Sequence, residues 1–217
     1  MKPTLYAHPF SSYCQKVLIA LYENGIEFEY RHLEDEGAGA ELEALWPLRK
    51  FPVLVDRGRT LLETSVIIDY LQHAHPGPVR LIPDDPDAAL EVRMMDRIFD
   101  NYVMTPMQKP VADRLRPEEH RDPYGVDEAR GMLDRIYAWL DTRLAPQCWA
   151  TGESFTLADC AAAPALFYAD WTHPIGPQYP TLRAYRARLL ARPSFARAVD
   201  EARQYRPLFP LGAPDRD

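Results

Sequence analysis

TLYAHPFSSYCQKVLIALYENG occupies residues 4–25. TLYAH has the length and composition of a short strand. Residues 13–24 follow with helical spacing, with Val17, Leu18 and Leu21 on one face and Gly25 as the stop. Between them, SSYC at residues 11–14 has the form of a redox CxxC with serine at the first position. If the strand ends near His8 and the helix begins near Tyr13, Ser11 and Ser12 lie at the helix N-terminus. Unpaired N–H groups and the positive end of the helix dipole point there. Reactive thiolates favour such an end. Here it carries hydroxyls, and the sequence places no histidine to act as their base. Two readings stay open on these residues: a helix cap, or hydroxyl donors to a sulfur that a ligand brings.

Outward from this stretch, EFEYRHLE alternates Phe28, Tyr30 and His32 against Glu27, Glu29 and Arg31, as a strand does. GAGAELEALW is a weak helix or loop. FPVLVD, the turn residues DRGR and TLLE predict a hairpin. TSVIIDYLQHA predicts a helix capped by Thr64 or Ser65. HPGPVRLIPDDPDA, from residue 75, holds four prolines in fourteen positions and marks a linker. Everything beyond has helical spacing. Residues 87–116 form one amphipathic stretch, with Pro106 and Pro110 expected to bend or break it. Further helices are expected over 126–144, 157–170, 180–191 and 194–204. The expected fold is α/β followed by all-α: a small βαβ-ββα domain at 1–75, a linker at 76–87 and a helical domain at 88–217.

Composition narrows the function classes. The 217 residues carry a net charge of −7, with basic residues spread among acidic ones. That disfavours a nucleic-acid surface, which needs a basic patch. No apolar run approaches a membrane span, and the N-terminus has no signal-like core. Cys14, Cys148 and Cys160 are too scattered for a disulfide framework, which fits a reducing cytoplasm.

Three further segments could carry chemistry or structure. In KFPVLVD, Pro52 opens a strand edge, so it sits at an edge, a bulge or a cis turn. A cis bond would leave the Phe51 main chain free to pair with an extended peptide. In LLETSV, Glu63 and Thr64 stand where a strand hands over to a helix. A hydroxyl and helix N–H groups bind a carboxylate, and a neighbouring Glu binds an ammonium, which together fit an α-amino-acid group. A simple cap with a solvated Glu fits the same letters. In FTLADC, Thr156 and Asp159 form a capping box, with Phe155 and Cys160 at staple spacing. That is structural, and Asp159 receives no catalytic role. His73 and His75 lack a third ligand, so no metal is expected. Tyr6 is a strand phenol that packs or donates. Phe10, Tyr102, Met104, Phe167, Tyr168 and Trp171 either line an apolar pocket or fill the core.

In this order and spacing, LYAHPFSSYCQKVLIAL, KFPVLVD, ETSVIIDYL and FTLADCAAAP resemble the soluble glutathione S-transferase family over essentially the whole chain. The resemblance is to serine-type, zeta- or theta-like bacterial members, and it implies a thioredoxin-like domain followed by the family's helical domain. It also implies a cytoplasmic homodimer that uses glutathione as co-substrate, with no metal. Ser11 falls where serine-type members place the hydroxyl that donates to the glutathione sulfur. Phe51 would pair with the cysteinyl backbone beside a cis Pro52. Glu63 and Thr64 would hold the γ-glutamyl end, and Lys50 would reach the glycine carboxylate. Trp46-Pro47 replaces the family's frequent Asn-Pro. Thr64 replaces its serine. Cys14 keeps a redox role in view. The implied activity is conjugation of glutathione to small hydrophobic electrophiles, as in detoxification. Isomerase or dehalogenase chemistry and a non-enzymatic binding or regulatory role are the alternatives.

Overall fold

The structure, a computed structural model, describes residues 2–145 and 147–217. β1 (Thr4–Ala7) buries alternate side chains, Leu5 and Ala7. It pairs in parallel with β2 (Glu29–His32) and antiparallel with β3 (Val53–Asp56). β3 turns into β4 (Arg59–Leu61). Arg57 and Gly58 form that turn with φ of 49° and 75°, the double left-handed geometry that tight hairpins use. The sheet order is β2-β1-β3-β4.

Helix α1 (Ser12–Glu23) crosses from β1 to β2. The sequence predicts one apolar face, but the helix is buried on every side from Cys14 to Leu21. It packs on the sheet domain's α3 (Thr64–Ala74) and on two helices of the second domain, α7 (Leu157–Thr172) and α9 (Pro193–Ala202). A helix between two domains has no solvent face to keep polar, which explains the near-continuous apolar run. The weak segment before β3 forms α2 (Ala38–Leu45), entered through Gly37 at φ 80°.

The proline-rich segment between α3 and α4 (Pro86–Ile98) is firmly anchored. The Asn24 side chain accepts from Val79 N at 2.8 Å, and the Gln72 amide pairs with both main-chain groups of Ile82. Leu81 and Ile82 are buried.

The stretch expected over 87–116 divides into α4, a π-helical turn at Phe99–Met104, and α5 (Thr105–Arg114). Pro106 stands in the first turn of α5, directly after the π turn, and Pro110 lies inside the helix without breaking it. The wide turn explains this. Pro106 lacks an N–H, and in a regular helix its ring would clash with the Tyr102 carbonyl. Thr105 N–H reaches back to Asp100 O instead, and Pro106 is accommodated.

α6 (Pro123–Arg143), α7, α8 (Pro180–Leu190) and α9 complete the second layer. α7 is almost wholly buried. The C-terminal segment is strapped down. Phe209 packs against Trp171 with ring centroids 5.2 Å apart, Arg216 pairs with Asp170, and Asp217 pairs with Arg203 and Arg206. Among the described residues no helix is long and apolar enough to cross a membrane.

Candidate active site

A cavity of about 370 Å³ opens where β3, α3 and the π turn meet. Lys50, Phe51, Pro52, Glu63 and Thr64 all line it. Five residues proposed from two separate sequence segments therefore converge. The Phe51–Pro52 bond is cis. Phe51 lies just outside β3 and is 39% exposed, within reach of an extended ligand. Glu63 occupies the N-cap of α3 at φ 64° and makes no side-chain cap bond. A non-glycine residue rarely takes that conformation and holds it only where its surroundings impose it. The first turn of α3, whose Thr64 lines the cavity, therefore has no side-chain cap.

Ser11 is not among the lining residues. It is the N-cap of α1, and its Oγ accepts from Cys14 N at 3.4 Å. The cap reading is thus realised. Donation is a separate capacity, because a hydroxyl that accepts through a lone pair keeps its hydrogen. Cys14 is fully buried, and burial pushes its thiol up to about 12. It is a neutral, shielded thiol, the opposite of a redox nucleophile. Tyr6 donates to Glu41 Oε2 at 3.1 Å, away from the cavity.

The phenol that does line the cavity is Tyr13. Burial, reinforced by Asp100, raises its pKa, so it remains a donor at neutral pH. Sequence reasoning gave no role to it or to Arg97, and placed Asp96 and Asp100 only on a helix contributing near the site at the expected dimer interface; Arg97 and Asp100 both line the cavity. These belong to a buried ionic cluster. Lys16 Nζ lies 2.6 Å from Asp96 Oδ1, 2.7 Å from Asp100 Oδ2 and 3.1 Å from Ser65 Oγ. Ser65 donates to Asp96 at 2.7 Å, and Arg97 pairs with both aspartates. Burial pushes the Asp100 carboxyl up, against the pull of Lys16. Its Oδ1 has no hydrogen-bond partner among the described residues. One signal was legible: a lysine inside an apolar helix, and Asp96 and Asp100 four apart among buried Val92, Met95, Phe99 and Val103.

Other clusters suit structure better. His75 and Tyr70 donate to Asp56 at 2.6 and 2.8 Å, so His75 is engaged beside the hairpin. His8, His32 and Glu34 bring potential ligand atoms within 4.8 Å of one another. Yet Nδ1 of each imidazole accepts a main-chain N–H, from Phe10 and Glu34. That puts the protons on Nε2, directed at Glu34 and Tyr205. A metal at Nε2 would need each Nδ1 protonated against a donor. A wider groove of about 670 Å³, lined by Tyr22, Phe28, Arg197 and Tyr205, lies on the far side of β2. It has none of the α3 N-terminal groups.

The chain is similar in sequence and fold to known proteins. The N-terminal domain model of glutathione S-transferase matches residues 5–79, and the C-terminal domain model matches residues 123–188. A glutathione S-transferase from Methylobacterium radiotolerans, solved with glutathione sulfonate, is 31% identical, with a TM-score of 0.79 over 92% of this chain and 95% of that one. One from Methylobacillus flagellatus, solved with glutathione bound, is 28% identical, with a TM-score of 0.82 over 91% and 98%. Among curated proteins, a stringent starvation protein A homolog of Coxiella burnetii is 29% identical over 92% of both chains. Maleylacetoacetate isomerase of Rattus norvegicus is 27% identical over 89% of this chain and 90% of its own.

Proposed function

The chain belongs to the glutathione S-transferase family, and on that premise we propose that it binds glutathione in the α3 cavity and delivers its thiolate to a small hydrophobic electrophile. The observation that carries the proposal is the convergence of Phe51, Glu63, Thr64 and Lys50 on one cavity. The N–H groups of the first turn of α3 and the Thr64 hydroxyl receive the γ-glutamyl carboxylate. Glu63 and the free Oδ1 of Asp100 receive its ammonium. The Phe51 main chain pairs with the cysteinyl unit, and Lys50 takes the terminal carboxylate. The sulfur then lies toward the N-terminus of α1, where the Ser11 hydroxyl donates to it. Lowering a thiol pKa by about two units takes ~2.7 kcal/mol. One hydrogen bond to a charged acceptor contributes about 1.5–3 kcal/mol, so Ser11 and the helix end suffice without a base.

The first test is a glutathione titration at neutral pH, followed by ultraviolet thiolate absorbance. Saturable binding with a thiolate signal is expected. Ser11→Ala should keep binding but lower turnover roughly tenfold or more, the worth of one such bond. If Ser11→Ala is unchanged and Tyr13→Phe abolishes the signal, the tyrosine is the donor.

The isomerase relative favours a second reading, in which the thiolate adds to a substrate and leaves again. Turnover that continues under substoichiometric glutathione selects isomerisation, and stoichiometric loss of thiol selects conjugation. Absence of glutathione binding selects a non-enzymatic role.

We also propose a homodimer. Val66 on α3 and Leu90 and Met94 on α4 are 54%, 67% and 45% exposed. These helices also carry Thr64 and Asp100's neighbour Asp96. Sedimentation should give twice the 24.9 kDa chain mass. A monomer mass at micromolar concentration overturns this.

A further inference from the structure

Every main-chain polar group from His8 N to Ser11 O has a partner. His8 N points to Cys14 Sγ at 3.5 Å, and His8 O accepts from Ser11 N at 3.0 Å. Phe10 N donates to His8 Nδ1, and Ser11 O accepts from Gln15 N. The two remaining carbonyls are held by side chains. Pro9 O accepts from Gln15 Nε2 at 3.0 Å, and Phe10 O accepts from the Tyr168 hydroxyl at 3.1 Å. Gln15 Nε2 also donates to Tyr168 Oη at 3.1 Å.

The directions of these bonds are forced. Pro9 O can only accept, so the amide nitrogen of Gln15 faces it. The second hydrogen of that nitrogen goes to the Tyr168 oxygen. The tyrosine's own hydrogen is then left for Phe10 O. Gln15 is 0% and Tyr168 3% exposed, so no water competes for these groups. Of all the partners named, Tyr168 alone comes from the helical domain.

We infer that Tyr168 is a positioning residue for the turn that presents Ser11, acting from α7 through the Phe10 carbonyl and the Gln15 amide. The inference rests on Ser11 being the thiol donor. Its ring also packs edge-on to Phe10, with centroids 5.6 Å apart. Tyr168→Phe keeps that packing and removes only the hydroxyl. Phe10 O then loses its donor, and the turn gains freedom one residue from Ser11.

The test uses Tyr168→Phe with two readouts. In the glutathione assay, kcat should fall about five- to tenfold with the thiolate signal, while the glutathione KM stays within about twofold. Independently, Cys14 lies beneath the same turn. In a Cys148→Ser background, its modification by an aromatic disulfide reagent, located by peptide mass mapping, should accelerate roughly tenfold as the turn opens locally. Unchanged Cys14 reactivity together with an unchanged thiolate signal overturns the inference. Equal losses in kcat, KM and global stability also overturn it, since they mean Tyr168 is only core. If the parent protein forms no thiolate at all, the proposed function fails, and the Cys14 readout alone decides: faster modification supports the tie, unchanged modification refutes it.

Discussion

Asp159→Ala should lower stability by about 4 kcal/mol, well beyond the loss of a helix cap. Asp159 is fully buried at the start of α7. It accepts from Ala150 N and Thr156 N at 2.8 Å, from Tyr185 Oη at 2.6 Å and from Thr156 Oγ1 at 3.1 Å. Burial pushes its carboxyl up, and those four donors pull the other way. All four are donors, so only an acceptor satisfies them. Removing it strands buried N–H and O–H groups at about 1–3 kcal/mol each, whereas an ordinary cap contributes ~0.5–2 kcal/mol. For a chain of this size the melting temperature should drop by about 8–16 °C. Asp159→Asn should recover little, because its NH₂ meets a donor. Urea unfolding at fixed protein concentration checks this. A loss below about 1 kcal/mol would show that the surrounding groups find other partners.

The capping box shows what is legible in a sequence. Thr156 and Asp159 are three residues apart, and such local geometry is written locally. The same holds for the Arg57-Gly58 hairpin and the α1 cap at Ser11. Convergence of Phe51, Glu63 and Thr64 was also foreseeable, because strand ends and helix starts of one sheet lie at one edge. What stayed hidden depends on partners far apart in the chain. Tyr168 reaches Gln15 across 153 residues, and in sequence it is one aromatic in an apolar helix. Lys16 meets Asp100 across 84 residues. Pro106 marks a π turn before it, where helix-breaking rules point to the proline itself. All-round burial of α1 follows from packing on α7 and α9, which no periodicity within α1 reveals.

Lys16→Met should cost about 3–5 kcal/mol at neutral pH, the range for breaking a buried ion pair from one side. The methionine fills the same space, so lost volume is not the cause. Asp96 and Asp100 would then face each other with only the half-exposed Arg97 to balance them; their side chains are 2% and 6% exposed. Asp100 already titrates above the ordinary value with Lys16 in place, and removing the cation would drive it further up. In the unfolded chain an aspartate titrates near about 3.9. Between that value and the raised one, the folded state binds more protons than the unfolded state, so stability falls as pH rises. The deficit of Lys16→Met should therefore be small near about pH 4 and largest above about pH 7. Adding Asp100→Asn should recover part of it, since one buried charge disappears with its counter-charge. Glutathione affinity offers a second readout, because Asp100 lines the cavity and a protonated Asp100 no longer attracts an ammonium. A deficit that does not vary with pH would mean that Arg97 alone neutralises the pair, and that Lys16 contributes packing and no charge.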